Sequence, residues 1–174
     1  MKKFELTTES ITNVAGKKLF RIKALIDFGD VKAGEVGGYV EKEGNVSQDG
    51  NAWVSGNTRV YGNAWVYGDA RVCGNARVYG DARVYGNARI SGDAWVSGNA
   101  DYTLIQGFGT EFRCTTFYRG KNKKIMVNCG CFHGDLKEFK KQVKETRSGK
   151  IAKEYLMIAD LMENHFASED SGNE

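Results

Sequence analysis

The chain has 174 residues, a net charge of +3, 27% charged residues, 22 glycines and no proline. That length accommodates one domain or one domain with appendages, and its even charge balance excludes a polyanionic nucleic-acid mimic and weighs against a general duplex binder. No run of about 18 apolar residues occurs and Met1-Lys2-Lys3-Phe4-Glu5 opens no apolar leader, so the expectation is a soluble cytoplasmic protein, not membrane-bound, with free thiols at Cys73, Cys114, Cys129 and Cys131.

Residues 1–37 read as capping strands. In Lys18-Leu19-Phe20-Arg21-Ile22-Lys23-Ala24-Leu25, basic and apolar residues alternate after Leu19 as they do along a half-buried strand, with Phe4 to Leu6 as its pairing partner. Asp27-Phe28-Gly29-Asp30 and Lys32-Ala33-Gly34 read as turns.

From Gly50 to Thr103, nine consecutive hexads follow one rule: Gly, Asn or Asp, a small residue, a variable residue, an aliphatic residue and a second variable residue. The small and aliphatic positions are two apart, so Ala52 and Val54, or Ala70 and Val72, point to the same side of a short strand. That side is the interior. The Gly-Asn or Gly-Asp pair supplies the unusual backbone of a corner. Three strands and three corners close an eighteen-residue coil, so residues eighteen apart stack at roughly 4.8 Å. Gly38-Tyr39-Val40 and Gly44-Asn45-Val46 extend the rod back by two hexads, with Val in the small position. The rod then spans 38–103 in about four coils, and its open edges require caps.

This register sorts the outward side chains onto three faces. The first carries Trp53, Arg71 and Arg89 beside Ser55, Cys73 and Ser91, with Cys73 in a serine-like column. The small residues of that column allow close approach by a neighbouring subunit or by the chain's own ends. The second carries Arg59, Arg77 and Trp95 beside Tyr61, Tyr79 and Ser97. The third carries Trp65, Arg83 and Asp101 beside Tyr67, Tyr85 and Thr103. Corner residues Asn51, Asp69 and Asn87 form a hydrogen-bonding ladder. The Arg and aromatic columns admit three readings: exposed ladders that stabilise a sheet, anchors of a protein interface, or a site for a planar anionic ligand. For the last, the candidate ligand-binding residues are Arg59, Arg77, Arg83, Tyr61, Tyr79, Tyr67, Tyr85, Trp65 and Trp95.

Residues 104–166 read as a hairpin followed by two helices. Phe112–Tyr118 and Lys124–Cys129 flank the turn Arg119-Gly120-Lys121-Asn122-Lys123, and Asp135-Leu136-Lys137-Glu138 is a capping box that opens a helix to about Arg147. A second helix from about Ile151 to Phe166 has Ile151, Tyr155, Ile158, Met162 and Phe166 at helical spacing. The tail 167–174 is polar and reads as disordered. Cys129-Gly130-Cys131-Phe132-His133 lacks the two-residue spacer and second ligand pair of structural zinc, so it is expected to be a strand-to-helix junction without metal.

Val54 to Thr58, Val60 to Ala64 and Val66 to Ala70 repeat an aliphatic residue followed four positions later by a small one, and in this the chain resembles the hexapeptide-repeat superfamily. The resemblance implies a mainly β fold, a left-handed parallel β-helix with an N-terminal β cap and a C-terminal α+β appendage, usually assembled as a homotrimer. It also implies acyl transfer as the enzyme hypothesis, with a histidine base. The rod contains no histidine. Only His133 and His165 exist, both beyond it, so no catalytic residue and no cofactor are expected. The full chain also resembles small bacteriophage and prophage proteins, through Leu19-Phe20-Arg21-Ile22-Lys23-Ala24, Gly34-Glu35-Val36-Gly37-Gly38-Tyr39-Val40-Glu41-Lys42-Glu43, the hexads, Gly107-Phe108-Gly109, Cys129-Gly130-Cys131-Phe132 and Ala152-Lys153-Glu154-Tyr155-Leu156. That resemblance implies a phage context without giving an activity; combined with the Arg and aromatic ladders on a trimer-prone rod, it leads to the expectation of a non-catalytic binder of a small anionic nucleotide, cyclic or ADP-ribose-derived, that serves as a host immune signal. The alternatives are a scaffold that grips a host defence protein and a hexapeptide-repeat acyltransferase.

Overall fold

A computed structural model describes residues 1–167, so most of the expected disordered tail, 168–174, lies outside the described residues. Eight two-residue strands form the rod: β4 (Trp53–Val54), β5 (Arg59–Val60), β6 (Trp65–Val66), β7 (Arg71–Val72), β8 (Arg77–Val78), β9 (Arg83–Val84), β10 (Arg89–Ile90) and β11 (Trp95–Val96). They stack in parallel on three faces as β4-β7-β10, β5-β8-β11 and β6-β9, with Arg59 beside Arg77 beside Trp95, and Trp53 beside Arg71 beside Arg89. Every Ala and Val of the hexad interior from Ala52 to Val96 is sealed from solvent. The corners need glycine for two reasons. Gly80 has φ +62°, and a Cβ there would lie 2.5 Å from the Ser97 carbonyl oxygen of the next coil.

β3 (Val36–Val40) belongs to the second face, on top of β5. Here the expected phase is corrected. Tyr39 pairs with Arg59 and Val46 with Val66, a spacing of 20 (59 − 39 and 66 − 46) where the later coils use 18 (71 − 53). Val40 and Val46 therefore hold the aliphatic position, not the small one. The two extra residues fall in the corner between Val46 and Trp53. Gln48 there accepts from the Lys3 and Phe4 backbone N–H groups at 2.8 and 3.3 Å and donates to the Phe4 carbonyl at 3.1 Å. At the other end the last hexad leaves the ladder. Asn99–Asp101 form a 3₁₀ turn and Tyr102 starts a new strand, so Asp101 and Thr103 do not extend the third face. The rod has about three coils and not four.

The hydrogen bonds that flank the paired strand positions mostly run one way. Trp53, Arg59 and Trp65 donate to the carbonyls of Ala70, Ala76 and Ala82 one coil further on, at 3.0, 2.9 and 2.9 Å. The first coil is thus left mainly with bare carbonyls and the last mainly with bare N–H groups, which must be satisfied elsewhere. At the first end, β1 (Phe4–Thr12) and β2 (Lys18–Ala24) add antiparallel strands to β3, as the alternation in Lys18–Leu25 leads one to expect. Three donor side chains cover further carbonyls. Lys3 Nζ reaches Gly50 and Ala52 (3.3 and 2.9 Å), Asn45 Nδ2 reaches Gly62 and Ala64 (3.2 and 2.8 Å), and Arg21 Nη1 reaches Gly37 and Gly56 (3.1 and 2.9 Å). At the far end most of these side chains are acceptors, and Tyr102 and Asn128 donate to the carbonyls of Arg83 and Arg89. Asn99 takes the Arg83 N–H at 2.9 Å, Thr116 that of Arg89 at 3.0 Å, and Asp101 those of Ser97 and Gly98 at 2.8 and 3.0 Å.

β12 (Tyr102–Phe108), β13 (Arg113–Arg119), β14 (Ile125–Cys129) and β15 (Phe132–Asp135) form an antiparallel sheet, followed by α1 (Leu136–Thr146) and α2 (Gly149–Phe166). Strand alternation sends Phe117 into a second core with Leu136, Phe139, Val143, Tyr155 and Met162, and sends Tyr118 into the core of the rod. Asp135 caps α1: it accepts from Glu138 N at 2.9 Å, while Glu138 accepts from Asp135 N at 2.8 Å.

Candidate functional site

The nine predicted residues divide between two adjoining faces. On the second, Tyr61 and Tyr79 stack at 5.3 Å with planes 9° apart, and the Arg77 guanidinium lies 5.1 Å above the Trp95 ring. Arg59 sits beside Arg77 in register. On the third, Trp65 stacks on Tyr67 at 4.1 Å, Tyr67 on Tyr85 at 5.2 Å, and Tyr85 meets Tyr102 edge-on at 6.4 Å. The geometry is that of one-coil stacking, which brings like residues together at the interstrand spacing. Tyr85, Trp65 and Trp95 remain 50%, 39% and 38% exposed.

Where these ladders run into the C-terminal unit, two open grooves form. One, about 610 Å³, is lined by Tyr67, Arg83, Tyr85, Asn99, Tyr102 and His165. The other, about 510 Å³, is lined by Tyr79, Trp95, Ser97, Asp101, Arg119 and Lys123. Of the nine predicted residues, Arg83, Tyr67 and Tyr85 share the first groove and Tyr79 and Trp95 the second. Trp65, Arg77 and Tyr61 stand next to them by stacking, and Arg59 lies further back on the rod. Sequence reading missed Asn99, Tyr102, His165, Arg119 and Lys123, because they enter from elements whose docking leaves no periodic trace. The basic hairpin tip Arg119-Gly120-Lys121-Asn122-Lys123-Lys124 was the only signal for two of them.

The electrostatics of the two grooves differ. Arg119 is engaged by Asp101 at 3.1 Å, whereas Arg83, Arg77 and Arg59 have no carboxylate at ion-pair distance among the described residues. Burial pushes the Tyr102 phenol well above its ordinary range, so it stays protonated and donates to the Arg83 carbonyl at 2.7 Å, holding that strand from below. Burial likewise pushes Tyr61 up. The third-face groove therefore joins a guanidinium without a carboxylate partner among the described residues to a column of half-exposed rings.

The terminal segments approach the first face. Phe28 and Phe4 pack edge-on against Trp53 at 5.4 and 6.2 Å, burying an outward residue that periodicity alone places in solvent. Asp30 pairs with Arg71 there. All four cysteines are free thiols. Cys129 accepts from Thr115 Oγ1 at 3.1 Å, and His133 stands across the β14–β15 pair from Asn128. Among the described residues no three His, Cys, Asp or Glu side chains converge as a metal-ligand set, and no helix is long and apolar enough to cross a membrane.

No curated protein matches the chain by sequence. Residues 52–68, 70–86 and 82–98 match the family described as YdcK Beta solenoid repeat. Register, corners and repeat match agree that the segment from Ala52 to Gly98 is a β-solenoid, similar to the YdcK repeat.

Proposed function

We propose that the protein is a non-catalytic binder that holds a small, planar, anionic ligand of nucleotide type in the third-face groove. The observation that carries this reading is the Arg83 guanidinium, which meets no carboxylate at ion-pair distance among the described residues, beside the Trp65–Tyr67–Tyr85 stack in a groove closed on one side by β12 and α2. A ring system stacks on the exposed tyrosines at low entropic cost, and the arginine fork meets phosphate. Asn99, whose Oδ1 is already taken by the Arg83 N–H, still offers its amide N–H₂ to the ligand. Together with the resemblance to phage proteins, this supports capture of a cyclic or ADP-ribose-type nucleotide in the host cytoplasm. The superfamily resemblance supports a homotrimer as the assembled form.

The test is calorimetric titration of the purified chain with a panel of cyclic nucleotides and ADP-ribose derivatives. One class should bind, and Arg83→Ala should weaken it by about tenfold or more, equivalent to at least about 1.4 kcal/mol, with the oligomer unchanged. Arg77→Ala should act more weakly, through the neighbouring groove. Binding that neither substitution affects overturns the site, and an untitratable wild type that retains a specific host protein favours the scaffold.

A second reading, acyl transfer, is favoured by one observation: His165 lines the same groove. A base there serves if it comes within roughly 2.6–3.2 Å of an acceptor proton. Thiol release from acyl-CoA in the presence of amine and hydroxyl acceptors, abolished by His165→Ala, would establish it; no turnover by the wild type removes it.

A further inference from the structure

On the first face the C-terminal sheet meets the last coil and leaves a groove of about 400 Å³, lined by Asn87, Arg89, Gln106, Phe112, Arg113 and Cys114. The backbone of Arg89 is pinned from two sides: its N–H donates to Thr116 Oγ1 at 3.0 Å and its carbonyl accepts from Asn128 Nδ2 at 2.7 Å. The origin of this side chain is fixed while its guanidinium is exposed. Arg113, the first residue of β13, packs over Gly130, where an added Cβ would come 2.6 Å from Nη1. Gly130, at φ +60°, thus leaves the space that the guanidinium uses.

Neither arginine has a carboxylate within ion-pair distance among the described residues. Two guanidinia on one groove with no acid between them repel, and an anion relieves that repulsion. The third element is Phe112. Its φ of +48° places a bulky residue in the left-handed region, at a cost of about 1–3 kcal/mol, and its ring is 65% exposed at the groove. Backbone strain and a wet phenyl ring both oppose folding, and covering the ring recovers apolar burial.

We propose that Arg89 and Arg113 bind the phosphate of a monoester whose flat organic part packs on Phe112, with Asn87 and Gln106 meeting its polar edge. This site is separate from the third-face ladder and stands whether or not Arg83 binds a ligand.

The experiment is a low-salt titration of the full chain with inorganic phosphate, methyl phosphate and phenyl phosphate, followed by calorimetry and by phosphorus NMR. Phenyl phosphate should bind tightest, and affinity should fall as pH drops through about 6, where the ester takes up its second proton. Arg89→Gln and Arg113→Gln should each weaken binding by about tenfold or more, and Arg89→Lys, which keeps the charge and loses the fork, by less. Phe112→Ala should abolish the preference of phenyl over methyl, and every titration is repeated in the Arg83→Ala background, so that phenyl phosphate held in the third-face groove is not counted at this site. If Arg89→Gln loses its cooperative melt, Arg113→Gln at the exposed strand end carries the same test. The proposal is overturned by no binding of any probe at about 10 mM, by equal affinity of wild type and both Gln variants, or by inorganic phosphate binding as tightly as its phenyl ester.

Discussion

The Lys3 ammonium lies 2.9 Å from the carbonyl oxygen of Ala52, and Lys3 is only 2% exposed. A buried cation held by carbonyls instead of a carboxylate is costly unless those carbonyls would otherwise go unmet. In this rod they would, since no earlier strand covers β4. Burial is the main force that lowers the Lys3 amine to about 8, and the nearby Arg71 charge adds to it.

The first prediction concerns this amine. Between its folded value of about 8 and its ordinary value of 10.5 the unfolded chain holds more protons than the folded one, so the Lys3 contribution to stability rises with pH across that window and is smallest below it. The denaturation free energy of wild type minus that of Lys3→Met should therefore grow by about 2 kcal/mol from pH 8 to 10.5. Tyr102 acts in the opposite sense, because burial raises its phenol and stability falls above its ordinary range, but it is common to both proteins and cancels. A difference that stays flat with pH in urea titrations rules out the buried ammonium.

Two corner glycines should respond differently to alanine. Gly86 has φ +64° but nothing closer than 3.9 Å to an added Cβ, so Gly86→Ala should cost only the left-handed penalty, about 1–2 kcal/mol. Gly80→Ala also meets a carbonyl oxygen at 2.5 Å and should cost about 3 kcal/mol or more. Thermal melts of the two variants rank them; equal losses would mean that the coils are not in the contact described.

The three tryptophans should separate spectroscopically. Trp53 is buried beneath Phe4 and Phe28, whereas Trp65 and Trp95 are partly exposed. Acrylamide should quench the latter two and spare a blue-shifted component that Trp53→Phe removes. Trp53→Ala should destabilise by about 3–5 kcal/mol through the cavity it leaves under the N-terminal cap.

At the opposite end Asp101 accepts from Ser97 N, Ser97 Oγ and Gly98 N and pairs with Arg119. Asp101→Ala should cost about 2 kcal/mol, since it leaves the last N–H groups bare, and should free Arg119 at the second groove. Urea titration measures the first effect, and a rise in anion affinity at that groove measures the second.

Much of the rod was legible because its interior and its outer columns obey one spacing. Arg59, Arg77 and Trp95 stack as the eighteen-residue coil requires, and so do Trp53, Arg71 and Arg89. The first coil misled for a local reason: Gly38-Tyr39-Val40 and Gly44-Asn45-Val46 look in phase with Gly50, although Gln48 and its neighbours add two residues that dock the N-terminal strand. The last hexad misled because Asp101 has the spacing of an outward column residue but serves the chain better as a cap. The grooves were only half visible. Arg83, Tyr67 and Tyr85 follow from the repeat, but Asn99, Tyr102 and His165 reach the groove through the C-terminal unit's docking, a tertiary event that carries no period.

The eighteen-residue coil, finished differently at its two ends, gives the chain a ruler and a protractor. Each end is finished by its own plug, chiefly donors at the start and chiefly acceptors at the finish, and the first plug reaches the middle coil through the Asp30–Arg71 pair. Loss or gain of eighteen residues would shorten or lengthen the rod by a single storey and keep every fitting in place. Loss or gain of six would instead turn the C-terminal unit by a third of a revolution, and set its walls against a different column of side chains. Repeat number in such a protein thus governs which column of side chains the C-terminal walls meet, and does so without altering a single residue of either.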